Sequence, residues 1–304
     1  MATGNSESGL PPGYSIDSMT RAEAEVLVDW ATAEGWNPGL SDLAVAFGYD
    51  PGGFVALRRG QGAAAELVGG GAILAHEGRC GFMGLFIMRP DHRRQGIGRV
   101  LWHERLRRLQ ARLQPGASIG MDGVFEMAPF YAAGGFAYRH RDLRFQGRAE
   151  AARLAVPEGV STTDLRTTPF ADIAAYDTAV FGHPRERFLR EWLNVPGGRG
   201  LAVRSPVDGA LRGYAYLRPC VVGYKFGPVF AEDEASARAL IRDLLAVVPG
   251  ETVALDVPEP NGGAMAIANE LGWDQPFGCA KMIHGPVPPD TIQQVFGVTS
   301  FEFG

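Results

Sequence analysis

The stretch that most constrains the fold is Arg93-Arg94-Gln95-Gly96-Ile97-Gly98-Arg99 together with what flanks it. Before it runs an apolar segment, Cys80–Met88, with no carboxylate or histidine. After it, Val100–Leu113 carries Val100, Leu101, Leu106, Leu109 and Leu113 on one helical face and arginines opposite. A basic loop with two glycines therefore joins a buried strand to an amphipathic helix. Glycine lets the backbone turn so that N–H groups converge, and the helix adds its positive end, which together make a cradle for an anion such as a pyrophosphate. The loop is no Walker motif, because G-x-x-x-x-G-K-[ST] is absent. It is no dinucleotide fingerprint either: Leu101 replaces the third glycine, and the preceding strands form an antiparallel meander, not a βαβ unit.

Around the loop, periodicity predicts helices over Arg21–Glu34 and from Ser41 through Phe47. Strands are expected over Phe54–Arg59, Glu66–Ala75 and Cys80–Met88, with Gly69-Gly70-Gly71 giving the second its flexibility. A strand over Ser118–Met121, a helix over Phe125–Ala133 and a strand over Phe136–Phe145 follow. After a linker near Ala149–Gly159 the same order returns. Helices are expected at Phe170–Phe181, Arg185–Trp192, Ala235–Val247 and Ala264–Leu271. The matching strands are Gly200–Ser205, Leu211–Leu217, Gly223–Phe230, Thr252–Val257 and one beginning at Lys281–His284. The chain of 304 residues thus reads as two α/β (α+β) domains, 1–148 and 149–304, each a mixed, mostly antiparallel sheet flanked by helices.

The pattern R-x-x-G-x-G after Met88-Arg89-Pro90-Asp91-His92 resembles the acyl-CoA-binding loop of the GCN5-related N-acetyltransferase (GNAT) family. A second signature agrees: Tyr131-Ala132-Ala133-Gly134-Gly135-Phe136 sets an aromatic residue before Gly-Phe. The resemblance covers nearly the whole chain, is specific over residues 80–136, and points to a bacterial two-domain group whose C-terminal domain is degenerate. It implies acetyl-CoA as cosubstrate, held by Arg93, Arg94, Gln95, Gly96, Ile97, Gly98 and Arg99, with the backbone of Phe86, Ile87 and Met88 along the pantetheine arm. It implies Tyr131 as the acid that protonates the departing thiolate.

Many relatives carry a base on the fourth strand, and here that strand has none. Asp122 and Glu126 are the nearby candidates; Asp122 equally suits a helix cap, and a water relay or an already neutral amine needs no base. Trp36 and Asp42, in Glu34-Gly35-Trp36-Asn37-Pro38-Gly39 and just after it, suit a cationic or aromatic acceptor, or else core and helix start. In the second half, Ala231-Glu232-Asp233-Glu234-Ala235 replaces the basic loop and Ala268 replaces the tyrosine. That half is expected to keep the fold, to lack CoA binding and to shape the acceptor site.

Charge and composition narrow the function further. Residues 1–148 hold 16 basic and 15 acidic side chains, residues 149–304 hold 13 and 19, and the net charge of −5 argues against nucleic-acid binding. The acidic second half favours a small amine as acceptor. No apolar run reaches the roughly 20 residues of a bilayer span, and Met1–Pro12 reads as a polar tail without signal-peptide character. Three separated cysteines (Cys80, Cys220, Cys279) and no histidine pair at ligand spacing predict no disulfide and no metal. The expectation is a cytoplasmic N-acetyltransferase, monomer or homodimer, working by direct transfer in a ternary complex. The alternative is a non-catalytic acyl-CoA sensor or interaction protein.

Overall fold

The computed structural model describes residues 9–304; of the expected N-terminal tail, residues 1–8 lie outside the described part. The first half runs β1 (Tyr14–Ser18), α1 (Arg21–Ala33), α2 (Asp42–Tyr49), β2 (Phe54–Arg59), β3 (Glu66–His76), β4 (Cys80–Met88), α3 (Ile97–Gln110), β5 (Ser118–Val124), α4 (Ala128–Ala133) and β6 (Ala137–Arg148). The second runs β7 (Thr162–Asp164), α5 (Phe170–Phe181), α6 (Glu186–Trp192), β8 (Arg199–Arg204), β9 (Leu211–Pro219), β10 (Tyr224–Ala231), α7 (Glu234–Leu245), β11 (Thr252–Pro258), α8 (Gly262–Glu270), β12 (Asp274–His284) and β13 (Val295–Gly297). Three short strands, β1, β7 and β13, escape the periodicity reading. Each is too brief to show an alternation of its own.

Local chemistry sets the helices that frame the site. Thr20 and Glu23 form a reciprocal capping box at the start of α1, and Ala24, Leu27 and Ala31 bury one stripe of it. In α3 the stripe is broader than the leucine pattern suggests. Arg105 lies on the buried face with Leu101, Trp102 and Leu109, which corrects the expectation that the arginines face away.

The strands form one continuous sheet in the order β1-β2-β3-β4-β5-β12-β6-β11-β10-β9-β8-β7, with β13 on β10. The two halves have exchanged their last long strands. β12, from the second half, pairs antiparallel with β5 of the first, and β6, from the first, pairs antiparallel with β11 of the second. β12 and β6 pair with each other at the centre. The strand expected to close the first domain therefore closes the second. Period-two alternation names a strand and its faces but is silent on its partner.

Each half also contains a parallel pair that splays into a fork. β4 and β5 pair only from Cys80↔Ser118 to Phe82↔Gly120, and β10 and β11 only at Tyr224↔Val253 and Lys225↔Ala254. α3 and α4 cover one face of the first half. On the other face a single apolar cluster joins α1 and α2 to α5 and α6, so the halves share a core. Two buried charges brace that junction: Arg218 on β9 donates to both oxygens of Asp42 at 2.8 and 3.0 Å.

Candidate active site

The β4–β5 fork opens because β4 is bulged at Leu85, whose φ of +49° is rare for a branched residue. Arg105 holds the bulge from beneath. One of its nitrogens donates to the carbonyls of Ala72 and Gly84, each at 2.6 Å, and the guanidinium lies 5.1 Å from the centre of the Phe86 ring. Burial pushes the Arg105 pKa down to about 9, which still leaves it charged at neutral pH. A side chain on Gly71 would collide with that guanidinium, so this glycine of the Gly69-Gly70-Gly71 run serves close approach, not the expected flexibility.

At the mouth of the fork the basic loop turns through left-handed residues, Arg94 at φ +61° and Gly96 at φ +81°. Gly96 is the N-cap of α3, and no side chain satisfies the helix's first N–H groups there. Arg93 donates to the Met88 carbonyl at 2.8 Å and pairs with Glu34, while Arg99 stacks on Phe130. An uncapped helix start ringed by exposed arginines fits an anionic group such as a CoA pyrophosphate.

Behind the loop lies a cavity of about 560 Å³. Of the ten residues expected to hold the cosubstrate, Phe86, Ile87, Met88, Arg93, Arg94, Gly96, Gly98 and Arg99 line it. Gln95 and Ile97 do not. The Gln95 amide donates to the Asp91 carbonyl, and Ile97 is buried in the core under α3.

Tyr131 lines the cavity and is 5% exposed, packed between Trp102 and Gly123, where any side chain would strike its ring. Burial raises its pKa to about 12, so the phenol keeps its proton at neutral pH and can donate it. Asp122 also lines the cavity. Its side chain is fully buried on β5 and accepts from Lys281 Nζ at 3.1 Å, so it caps no helix. Glu126 is exposed in the turn before α4, outside the cavity, so its place beside Tyr131 in the sequence does not bring it to the site.

Trp36 lines the cavity but Asp42 does not, because the carboxylate of Asp42 is occupied by Arg218 and by the Gly39 N–H. The other walls come from the second half and were missed by sequence reasoning: Phe277 and Cys279 on β12, and Phe301 and Glu302 in the segment after β13. Arg144 on β6 orders them. It donates to both oxygens of Asp256 at 2.6 and 2.8 Å and to the Trp36 carbonyl at 2.6 Å. Its guanidinium lies 5.4 and 5.1 Å from the ring centres of Phe277 and Phe301. A signal was available, since His140, Asp142 and Arg144 alternate along a strand and charge an entire face of it.

All three cysteines are free and buried, and burial pushes the Cys80 thiol up to about 12. Among the described residues no cluster of three metal-ligating side chains occurs, and no helix is long and apolar enough to cross a membrane.

Comparison with known proteins agrees with this architecture. Residues 19–131 match the model of the acetyltransferase (GNAT) family, and residues 173–297 match an acetyltransferase (GNAT) domain model. The chain is 26% identical to the holothin acyltransferase of a Pseudoalteromonas species over 283 residues, 93% of this chain and 92% of that protein. A crystal structure of a putative acetyltransferase from Pyrococcus horikoshii superimposes with a TM-score of 0.80 at 18% identity, covering all of both chains. A tandem GNAT protein from the clavulanic acid biosynthesis pathway superimposes with a TM-score of 0.62 at 17% identity, covering 91% of this chain and all of that one. With a bulged, forked sheet in each half and a family model matching each, the chain belongs to the GNAT acetyltransferase family and carries two GNAT domains in tandem.

Proposed function

We propose that the protein is an acetyl-CoA-dependent N-acetyltransferase acting on the amine of a small molecule, a cytoplasmic monomer or homodimer that works by direct transfer in a ternary complex. Residues 1–148 bind the cosubstrate and residues 149–304 shape the acceptor site. The observation that carries this reading is one cavity lined by Gly96 at the uncapped start of α3, by Tyr131, and by Trp36, Phe277 and Phe301. Three aromatic rings, those of Trp36, Phe277 and Phe301, suit an amine on a flat, apolar body. The relative named holothin acyltransferase, matched along almost its full length, supports a small acceptor over a protein lysine.

The chemistry asked of the site is modest. The fork aligns the thioester with the amine, which removes most of the entropic barrier. The amine lone pair forms the C–N bond, the C–S bond breaks with its electrons on sulfur, Tyr131 gives sulfur a proton, and the proton released by the amine nitrogen restores the phenol. Calorimetric titration with acetyl-CoA followed by a screen of small aromatic amines tests the reading. Tyr131→Phe is expected to lower kcat by ~100-fold or more while leaving acetyl-CoA affinity within about twofold. Absence of acetyl-CoA binding by the unaltered protein overturns the proposal.

A further inference from the structure

β6 lies between β11 and β12, and Arg144 stands opposite Asp256 on one neighbour and Phe277 on the other. Besides both oxygens of Asp256, its guanidinium donates to the Trp36 carbonyl at 2.6 Å and lies 5.4 and 5.1 Å from the ring centres of Phe277 and Phe301. The two phenylalanine rings are themselves 6.2 Å apart, tilted by 51°. Trp36, Phe277 and Phe301 all line the cavity, and Trp36 and Phe277 are only half-buried. Arg144 is 2% exposed and does not line it, so it acts on an occupant through those three residues.

A buried ion pair is weak evidence for stability, because taking two charges out of water offsets most of their attraction. Here burial works against both charges, yet the pair holds Asp256 below and Arg144 above its ordinary pKa. What the pair supplies is geometry. Two parallel bonds to one carboxylate hold the guanidinium in a single orientation, and with it the Trp36 backbone and both rings. Trp36 is fixed from its other neighbour as well: the Asn37 side chain accepts from the Val222 N–H at 2.8 Å and donates to the Val222 carbonyl at 3.0 Å. The charge has a consequence of its own. A ring whose π-electrons are drawn toward one cation holds a second cation less well, while a neutral flat ring still stacks on it.

We propose that Arg144 sets acceptor specificity: through Trp36, Phe277 and Phe301 it selects an amine carried on a flat, uncharged ring and rejects saturated rings and rings that bear a positive charge. The inference rests on the amine-acetylating reading above for its effect on turnover, though not for what the cavity binds. Arg144 touches neither substrate nor the reacting atoms and is a positioning residue. Arg144 and Trp36 come from the first half, and Asp256, Phe277 and Phe301 from the second, so specificity belongs to the junction between them.

Three amines on the same two-carbon arm test this: phenethylamine, cyclohexylethylamine and aminoethyl-N-methylpyridinium. Calorimetric titration of each into the full-length protein with CoA present reads the choice without turnover, and initial rates with acetyl-CoA read it in turnover. The unaltered protein is expected to favour phenethylamine over each of the others by at least ~10-fold. Arg144→Met/Asp256→Asn removes both charges together and leaves the net charge unchanged, so long-range attraction does not explain its effect. It is expected to bring both preferences within ~3-fold of unity and to raise KM for phenethylamine ~10-fold, with KM for acetyl-CoA unmoved. Arg144→Lys keeps the charge but loses the fork, and is expected to lower the preference for the flat over the saturated ring at least ~3-fold while the pyridinium stays excluded. If the double variant does not fold, Arg144→Lys decides, and an unchanged preference overturns the inference. Preferences near one in the unaltered protein, binding of none of the three amines, or preferences that the double variant leaves intact overturn it as well. Binding in the expected order, lost in the variants, without acetylation of any amine overturns the proposed function and supports this inference.

Discussion

The two forks of the sheet begin alike and end differently. In the first half β4 and β5 part after Phe82 and leave a cavity at the head of a basic loop. In the second, β10 and β11 part after Lys225, and β13 fills the opening. Val229 and Phe230 on β10 pair with Gly297 and Val295 of β13, and the Val298 N–H donates to the Asp256 carbonyl on β11. The loops differ in the same sense. Where the first half leaves α3 uncapped, Asp233 caps α7 by accepting from the Ser236 N–H at 2.8 Å, and Arg212 ties down both Glu232 and Asp233. Equivalent aspartates diverge too: Asp256 has a bidentate arginine that outweighs burial and lowers its pKa, while at Asp122 burial prevails over a single lysine contact and the pKa rises. One fold leaves an open cavity or a filled brace depending on whether its fork and helix start already have partners.

The sharpest way to break this comparison is at the first loop. Arg93→Glu/Gly96→Glu puts two carboxylates at the start of α3 and a side chain where φ is positive. Acetyl-CoA affinity is expected to fall at least ~100-fold, about 2.8 kcal/mol, by calorimetry, from a parent that binds one equivalent per chain. A parent stoichiometry of two would end the asymmetry.

A second test concerns the segment that leaves the filled fork and reaches the first half. His76 on β3 is fully buried, and its Nε2 meets the Phe303 carbonyl at 3.2 Å, while Nδ1 has no partner. Burial, with Arg185 nearby, lowers its pKa to about 4. Below the unfolded value near 6.5 the unfolded chain takes a proton that the folded chain refuses, so this site penalises folding increasingly as pH falls toward 4. The stability present above pH 6.5 is expected to drop by about 2 kcal/mol between pH 7 and pH 5 from this residue alone. Urea unfolding at the two pH values measures it. His76→Gln, which cannot titrate, is expected to remove that part of the pH dependence, and an unchanged slope would detach His76 from the segment's stability.

Much of this was legible in the chain, and the illegible part has a common cause. The Arg93–Arg99 loop, the Tyr131 position and nearly every long element follow from local spacing, because capping, glycine turns and amphipathic periods act within a few residues. The exchange of β6 and β12 is a choice of partner more than a hundred residues away, and it assembles Asp122, Asp142, Lys281 and His140. The same limit hid the partners of Arg144: its alternation with His140 and Asp142 is visible in the chain, but Asp256 and Trp36, which close on it, are more than a hundred residues away. Asp42 erred in the opposite direction: it stands beside Trp36 in sequence, yet Arg218 from the other half claims it.

The smallest expected effect separates charge from filling in the second fork. Glu232→Arg/Asp233→Gly turns the acidic loop toward the basic, glycine-containing character of the first. If charge alone denied this half a cosubstrate, a second acetyl-CoA site would appear. Here the filled fork is decisive, since β13 occupies the edge of β10 along which a pantetheine arm would lie, and no change in the loop removes it. Stoichiometry is therefore expected to remain one. The double substitution does remove the α7 cap and the two Arg212 ion pairs, all at or near the surface, so a loss of about 1 kcal/mol in urea unfolding is expected. A second equivalent of bound acetyl-CoA would show that the strand yields to the ligand, and that the two halves differ in charge more than in architecture.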